Sequence, residues 1–152
     1  MRKQYENKES LQAENDFKET IEQSWDCVLK KMHYHHIIDF MLTRNKVAKA
    51  WVEVKCLNKT YDKFPCTILS LSKFMKGVEY YNTTGLPFIF ATRLNAEVED
   101  GDGIEYYSDW YYSYNPKHPK FEIIWGGRTK QTRDKFDIEP IIQIPMVYFK
   151  EI

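Results

Sequence analysis

The side chains in this chain best suited to chemistry are Asp39 and the tripeptide Glu53-Val54-Lys55. They lie in two runs that read as strands, Ile37 to Leu42 and Ala50 to Cys56, parted by the polar break Thr43-Arg44-Asn45-Lys46. Side chains alternate along a strand, so Glu53 and Lys55 share one face while Val52 and Val54 share the other. In the preceding run Ile38, Phe40 and Leu42 form the apolar face and leave Asp39 opposite. If both apolar faces point into one core, the register pairs odd residues with odd. A three-residue turn then sets Asp39 across from Glu53, Phe40 from Val52 and Ile38 from Val54. Directly opposed residues have Cβ atoms roughly 5 Å apart.

Two carboxylates at that distance repel unless positive charge sits between them. Lys55 supplies one charge, and a divalent cation is the obvious second. Two carboxylate ligands with several retained waters suit Mg²⁺. Such a site polarises a phosphoryl oxygen and acidifies a bound water, which an adjacent lysine can hold. An ordinary exposed ladder of acids and lysines is the plain alternative. Glu14 adds a third acid. It falls in the middle of the stripe Leu11, Phe17, Ile21 and Trp25, where a helix wants an apolar residue. A carboxylate there is costly unless partnered, and a metal facing the helix would partner it. The bland reading is a glutamate near a helix start that reaches solvent or a backbone donor.

The elements that must position these groups follow from the hydrophobic pattern. Residues Met1 to about Glu9 read as a flexible polar tail, and Ser10 as the cap of a helix to about Trp25. Cys27 to Met32 is a short strand, and the two runs above form a β-hairpin. Thr67 to Leu71 is extended, and Ser70 or Ser72 caps a second helix from Lys73 to about Thr83, ended by Gly85. Pro87 to Thr92 is a buried strand and Tyr106 to Tyr114 an aromatic one. Phe121 to Trp125 and Ile141 to Ile144 are strands separated by a Gly126-Gly127-Arg128 turn and a charged loop. The pattern predicts a single α/β domain over residues 1–152, with an α-β-β-β-α-β core and a β-rich tail.

The remaining features set limits. Lys and Arg number 22, as do Asp and Glu, so a protein that simply coats nucleic acid is disfavoured. Charge is nevertheless segregated: acids dominate Arg93 to Asp109, and bases dominate Lys117 to Lys135. In that basic stretch Arg128, Lys130 and Arg133 follow two glycines and can clamp backbone phosphates, or merely solvate a loop. Cys27, Cys56 and Cys66 have no C-x-x-C spacing and no evident catalytic partners, which suits a reducing cytoplasm. His33, His35 and His36 with those cysteines match no zinc pattern. The histidines read as solvent-exposed, or as touching DNA or supporting the acidic site. The Tyr106 to Tyr114 segment can stack on unpaired bases or meet a dimer partner, but plain sheet packing also explains it. No apolar run is long enough to cross a bilayer, and the start lacks the apolar core of a secretory signal.

Asp39, the Glu53-Val54-Lys55 motif, the preceding acidic helix and the following Ser70-Leu71-Ser72-Lys73 helix start resemble the PD-(D/E)XK nuclease superfamily. The nearest resemblance is to its small phage and archaeal members, Holliday-junction resolvases among them. Ala50 to Phe90, with Trp51, Glu53, Lys55, Cys56, Gly77, Gly85 and Pro87, is similar to a group of phage-encoded proteins of this type. So is the tail with Gly126, Gly127, Arg128, Arg133 and Pro140. The resemblance implies a restriction-endonuclease-like domain, a central mixed β-sheet flanked by helices, hydrolysing DNA with Mg²⁺ or Mn²⁺. It implies that Asp39, Glu53 and the Val54 carbonyl bind the metal, that Glu14 matches a helix-one acid, and that Lys55 assists the attacking water. Lys73 stands where many members carry a Gln or Lys close to the site. A homodimer acting on branched DNA in a phage-infected host cytoplasm follows by analogy, as does the alternative of a silent DNA-binding or virion protein. Ile38 stands where many members have proline.

Overall fold

The computed structural model describes residues 8–57, 65–96, 106–127 and 138–152. Helix α1 spans Lys8–Trp25, and strands β1 (Val28–Lys31), β2 (Phe40–Arg44), β3 (Val47–Leu57) and β4 (Cys66–Ser70) follow. Helix α2 (Leu71–Thr84) leads to β5 (Phe88–Ala96), β6 (Tyr106–Ser113), β7 (Ile123–Gly127), β8 (Ile138–Pro145), a 3-10 turn at Met146–Tyr148, and β9 (Lys150–Glu151). A six-stranded sheet runs β1-β2-β3-β5-β6-β9, and a separate three-stranded sheet runs β4-β8-β7. The large sheet is mixed: β3 and β5 are parallel and the other neighbours antiparallel. Parallel strands need a crossover, which α2 supplies.

Both faces of the large sheet are covered, and this decides where the acids can go. Phe17 and Ile21 of α1 pack on Leu29, Phe40, Leu42, Ala50, Val52 and Val54. On the other face Phe88, Phe90, Leu94 and Tyr112 pack on Leu69, Ile142 and Ile144 of the small sheet, with Phe74 and Tyr80 of α2 against them. Even residues of β3 therefore face α1, and Trp51, Glu53 and Lys55 face the α2 layer. Gly77 is the residue that lets α2 come this close: a Cβ there would overlap the Phe88 ring. Gly85, at φ 72°, ends the helix with its N–H on the Tyr81 carbonyl.

The hairpin keeps the expected register where it matters. Phe40 faces Val52, Met41 faces Trp51 and Leu42 faces Ala50. It gets there by a different route. The turn has two residues, Asn45 and Lys46, both with positive φ, and a bulge between Leu42 and Thr43 supplies the third. Two positive-φ central residues match the twist of the strands, and the bulge adds the extra residue that a three-residue turn would have provided. Ile38 departs from expectation. It packs in the α2-side core, not with Phe40, because the chain leaves the strand before β2 and alternation ends there. Its pairing with Val54, which faces α1, is thereby overturned.

Three further readings are corrected. Lys8, Glu9 and Ser10 are already helical in α1, ahead of the expected start, and the rest of the expected tail lies outside the described residues. Gly126 and Gly127 are strand residues paired with Glu139 and Ile138, not a turn. The tail is not a simple extension: β6 and β9 complete the large sheet, while β7 and β8 join β4 to cover it. The aromatic strand β6 serves packing, with Tyr112 in one core and Tyr111 in the other. Among the described residues no helix is long and apolar enough to cross a membrane.

Candidate active site

Asp39 and Glu53 are brought together and locked by their own backbones. The Asp39 N–H donates to Glu53 Oε2 at 3.2 Å, and the Val54 N–H donates to Asp39 Oδ2 at 3.2 Å. The remaining oxygens, Asp39 Oδ1 and Glu53 Oε1, both turn toward the ammonium of Lys73. Lys73 is ion-paired and hydrogen-bonded to Glu53, and its Nζ lies 3.9 Å from Asp39 Oδ1. The first turn of the crossover helix places Lys73 there, after β4 has returned the chain over the sheet. Lys73 was expected near the site only by resemblance. Here it supplies the positive charge that two adjoining carboxylates require.

Electrostatics follow from burial. Glu53 is 1 % exposed. Desolvation pushes its carboxyl up to about 8, against the pull of Lys73, with the Asp39 charge raising it further. For Lys73, burial works against the ammonium, but the attraction of Glu53 and Asp39 outweighs it and holds the group above its ordinary value. Around neutral pH the proton on Glu53 and the charges on Asp39 and Lys73 leave the trio uncharged. Above about pH 8 Glu53 ionises and the trio becomes an anionic seat.

Lys55 shares the face of Glu53 and donates to the Ile68 carbonyl of β4 at 3.3 Å. Glu14 stays partly apart. Its Oε1 is 2.7 Å from Lys31 Nζ, an ion pair between α1 and β1, although its charge is still felt at Lys73. Lys31 was not foreseen, and it also sits 4.9 Å from the centre of the Phe40 ring. Arg128, Lys130 and Arg133 lie outside the described residues. Cys27, Cys56 and Cys66 take part in no disulfide, and burial pushes the thiols of Cys27 and Cys56 up, away from thiolate chemistry. A cavity of about 690 Å³ is lined by Tyr81, Tyr114, His118 and Tyr148 among others, and by none of Asp39, Glu53, Lys55 and Lys73.

Sequence reasoning also missed a buried cluster on the α1 side. Arg93 of β5 grips Asp109 of β6 with Nε at 2.7 Å and a terminal nitrogen at 2.9 Å, and reaches Thr20 of α1 at 3.1 Å. Its guanidinium lies over the Phe17 and Tyr107 rings at 4.9 and 4.1 Å. The available signal, an arginine and an aspartate in one-for-one register, emerges only once β5 and β6 are paired.

The profile of the family described as "Phage putative PDDEXK endonuclease" matches residues 1–152. The chain belongs to this phage PD-(D/E)XK endonuclease family. No curated protein and no solved structure matches it. Family membership implies a restriction-endonuclease-like fold and nuclease activity, in keeping with the mixed sheet and the paired acids. The site also fits the divalent metal such nucleases use. Two hard carboxylate oxygens, one from β3 and one from the residue just before β2, already converge on a cationic atom. Among the described residues no cluster of three or more His, Cys, Asp or Glu gathers, so the protein offers two carboxylates there.

Proposed function

We propose that this endonuclease hydrolyses DNA phosphodiester bonds at Asp39, Glu53 and Lys55, with Mg²⁺ or Mn²⁺ held by the two carboxylates and the Val54 carbonyl. The observation that carries the proposal is the convergence of Asp39 Oδ1 and Glu53 Oε1 on one cation, while backbone N–H groups restrain Oδ2 and Oε2. When bound, the metal supplies polarisation of a phosphoryl oxygen and a more acidic water.

The rest is the work of the chain. Glu53, as a carboxylate turned from Lys73, would be one of the residues that hold the metal. Lys55, one alternation along β3, holds the attacking water and neutralises charge developing on the phosphate. Lys73 stays at the start of α2 as a second cation for the substrate. Glu14 joins the metal-holding acids only on leaving Lys31. Branched DNA is the proposed preferred form, and the basic segment with Arg128, Lys130 and Arg133 the proposed backbone clamp.

The test is metal-dependent cleavage of branched, duplex and single-stranded DNA by wild type, Lys55→Ala and Glu53→Gln. Each variant should lose roughly a hundredfold or more in rate, the scale of a lost charge-stabilising group. Wild type that cuts none of these DNAs would overturn the reading and favour a silent binding or virion role. Lys55→Ala that cuts at the wild-type rate would show that the site is misassigned.

A further inference from the structure

The loop joining β1 to β2 rises directly from the carboxylate site and carries an unusual surface. The Met32 N–H bonds the Asp39 carbonyl at 2.9 Å, so Asp39 stands at the base of the loop. The His36 N–H bonds the His33 carbonyl at 2.8 Å and closes a turn at its tip. Three consecutive rings pack on one another there. Centroids are 4.3 Å apart for His33 and Tyr34, 4.1 Å for Tyr34 and His35, and 4.7 Å for His33 and His35. All three side chains are exposed, Tyr34 by 53 %.

The rings continue toward the site. His36 Nδ1 meets the Tyr80 hydroxyl at 3.2 Å, and the Tyr80 ring lies 4.9 Å from Trp51. Trp51 is one alternation from Glu53 on the same face of β3, and Tyr80 is two helical turns from Lys73 on the same face of α2. His36, next along the chain from the three tip rings, thus ties the loop to the helix and strand that carry Lys73 and Glu53. A turn that merely met solvent would carry Gly, Asn, Asp or Ser. The imidazoles do not gather into a metal site, because no cluster of three ligands forms among the described residues.

We infer that His33, Tyr34 and His35, backed by His36 and Tyr80, form a stacking platform for an unpaired nucleotide of the strand being cut. The inference rests on the proposed DNA-cleaving function and assigns the part of the substrate that lies beside the scissile phosphate. Flat rings with polar edges suit a nucleobase, whose π-face needs no enclosing pocket. Rings already packed on each other lose little freedom on binding, so the platform is pre-ordered.

The full-length protein is tested with two substrates of one sequence, a fully paired duplex and a duplex with a short unpaired segment. Tyr34→Ala and His35→Ala should each raise KM for the unpaired substrate about five- to tenfold, with kcat held, the low end of one lost base stack. Their KM for the paired duplex should stay within about twofold, and Tyr34→Trp should restore the unpaired one. In wild type, 5-iodouracil in the unpaired segment should photocrosslink to the 33–36 loop, a readout independent of any variant's folding. Equal losses on both substrates, unchanged KM on the unpaired one, or crosslinks confined to other segments would overturn the platform. Wild type that cuts branched DNA but neither of these substrates also overturns the platform, whereas wild type that cuts none of them overturns the nuclease reading itself, so the two failures are distinguishable.

Discussion

Lys73→Met removes the ammonium that neutralises Asp39 and Glu53 while keeping a long aliphatic side chain. In metal-free protein below about pH 8 Glu53 is protonated in wild type and remains so in the variant. The loss there is mainly the Asp39–Lys73 attraction at 3.9 Å, worth about 1 kcal/mol in this partly open setting. Above that pH wild type ionises Glu53 beside Lys73, whereas the variant must keep it protonated. The penalty then grows by about 1.4 kcal/mol per pH unit. By pH 9.5 the total reaches about 3 kcal/mol, or a midpoint drop of roughly 6–12 °C for a domain of this size. Thermal melts in EDTA at pH 6.5 and 9.5 measure this. Adding Mg²⁺ at pH 9.5 should raise the variant's midpoint by more than that of wild type, because cation and ammonium compete for the same two oxygens. A penalty that is equal at both pH values, or no extra response to Mg²⁺, would refute the reasoning.

Further outcomes follow from two named groups, Glu53 and Asp109. Glu53 has a folded-state pKa raised to about 8, so its contribution to stability is complete below its unfolded value of about 4.3 and is lost as pH rises to 8. Metal-free wild type should therefore lose on the order of 5 kcal/mol through this group across that window, as read by urea denaturation in EDTA at several pH values. Mg²⁺ binding by calorimetry should tighten over the same window and release about one proton per metal below pH 8. Asp109→Asn leaves the buried Arg93 guanidinium without its carboxylate and should cost about 3–5 kcal/mol in denaturant. Mg²⁺ affinity should barely change, since that cluster lies on the α1 side of the sheet.

How much of this was legible depended on whether local pattern or long-range packing decided it. The pairing of Asp39 with Glu53 could be read because parity alone fixes which residues share a face, and the α1 stripe of Phe17 and Ile21 because it follows a helical period. The route was misread. A two-residue turn plus a bulge gives the same register as a three-residue turn, and parity cannot tell them apart. Ile38 defeated the pattern because alternation holds only inside a strand, and this chain bends over residues 36–38, before β2 begins. The second sheet was hidden because β4 meets β8 across some seventy positions of sequence, a pairing no local window contains.

The same distinction explains why the site turned out differently from its motif. From sequence the acids lay on a face assumed to be open, where Lys55 was the nearest cation and Glu14 the third acid. Covering that face with α2 and the small sheet buries Glu53 and brings the covering helix's own cation within reach of both acids. Lys73, on the covering helix, therefore meets the carboxylates, leaving Lys55 to bond the Ile68 carbonyl. Glu14 lies on a helix against the opposite face and finds Lys31. A metal entering here must compete with an internal cation as well as with water. Metal affinity and metal-free stability should accordingly move in opposite directions when Lys73 is changed. An inert ladder of acids and lysines would show no such opposition.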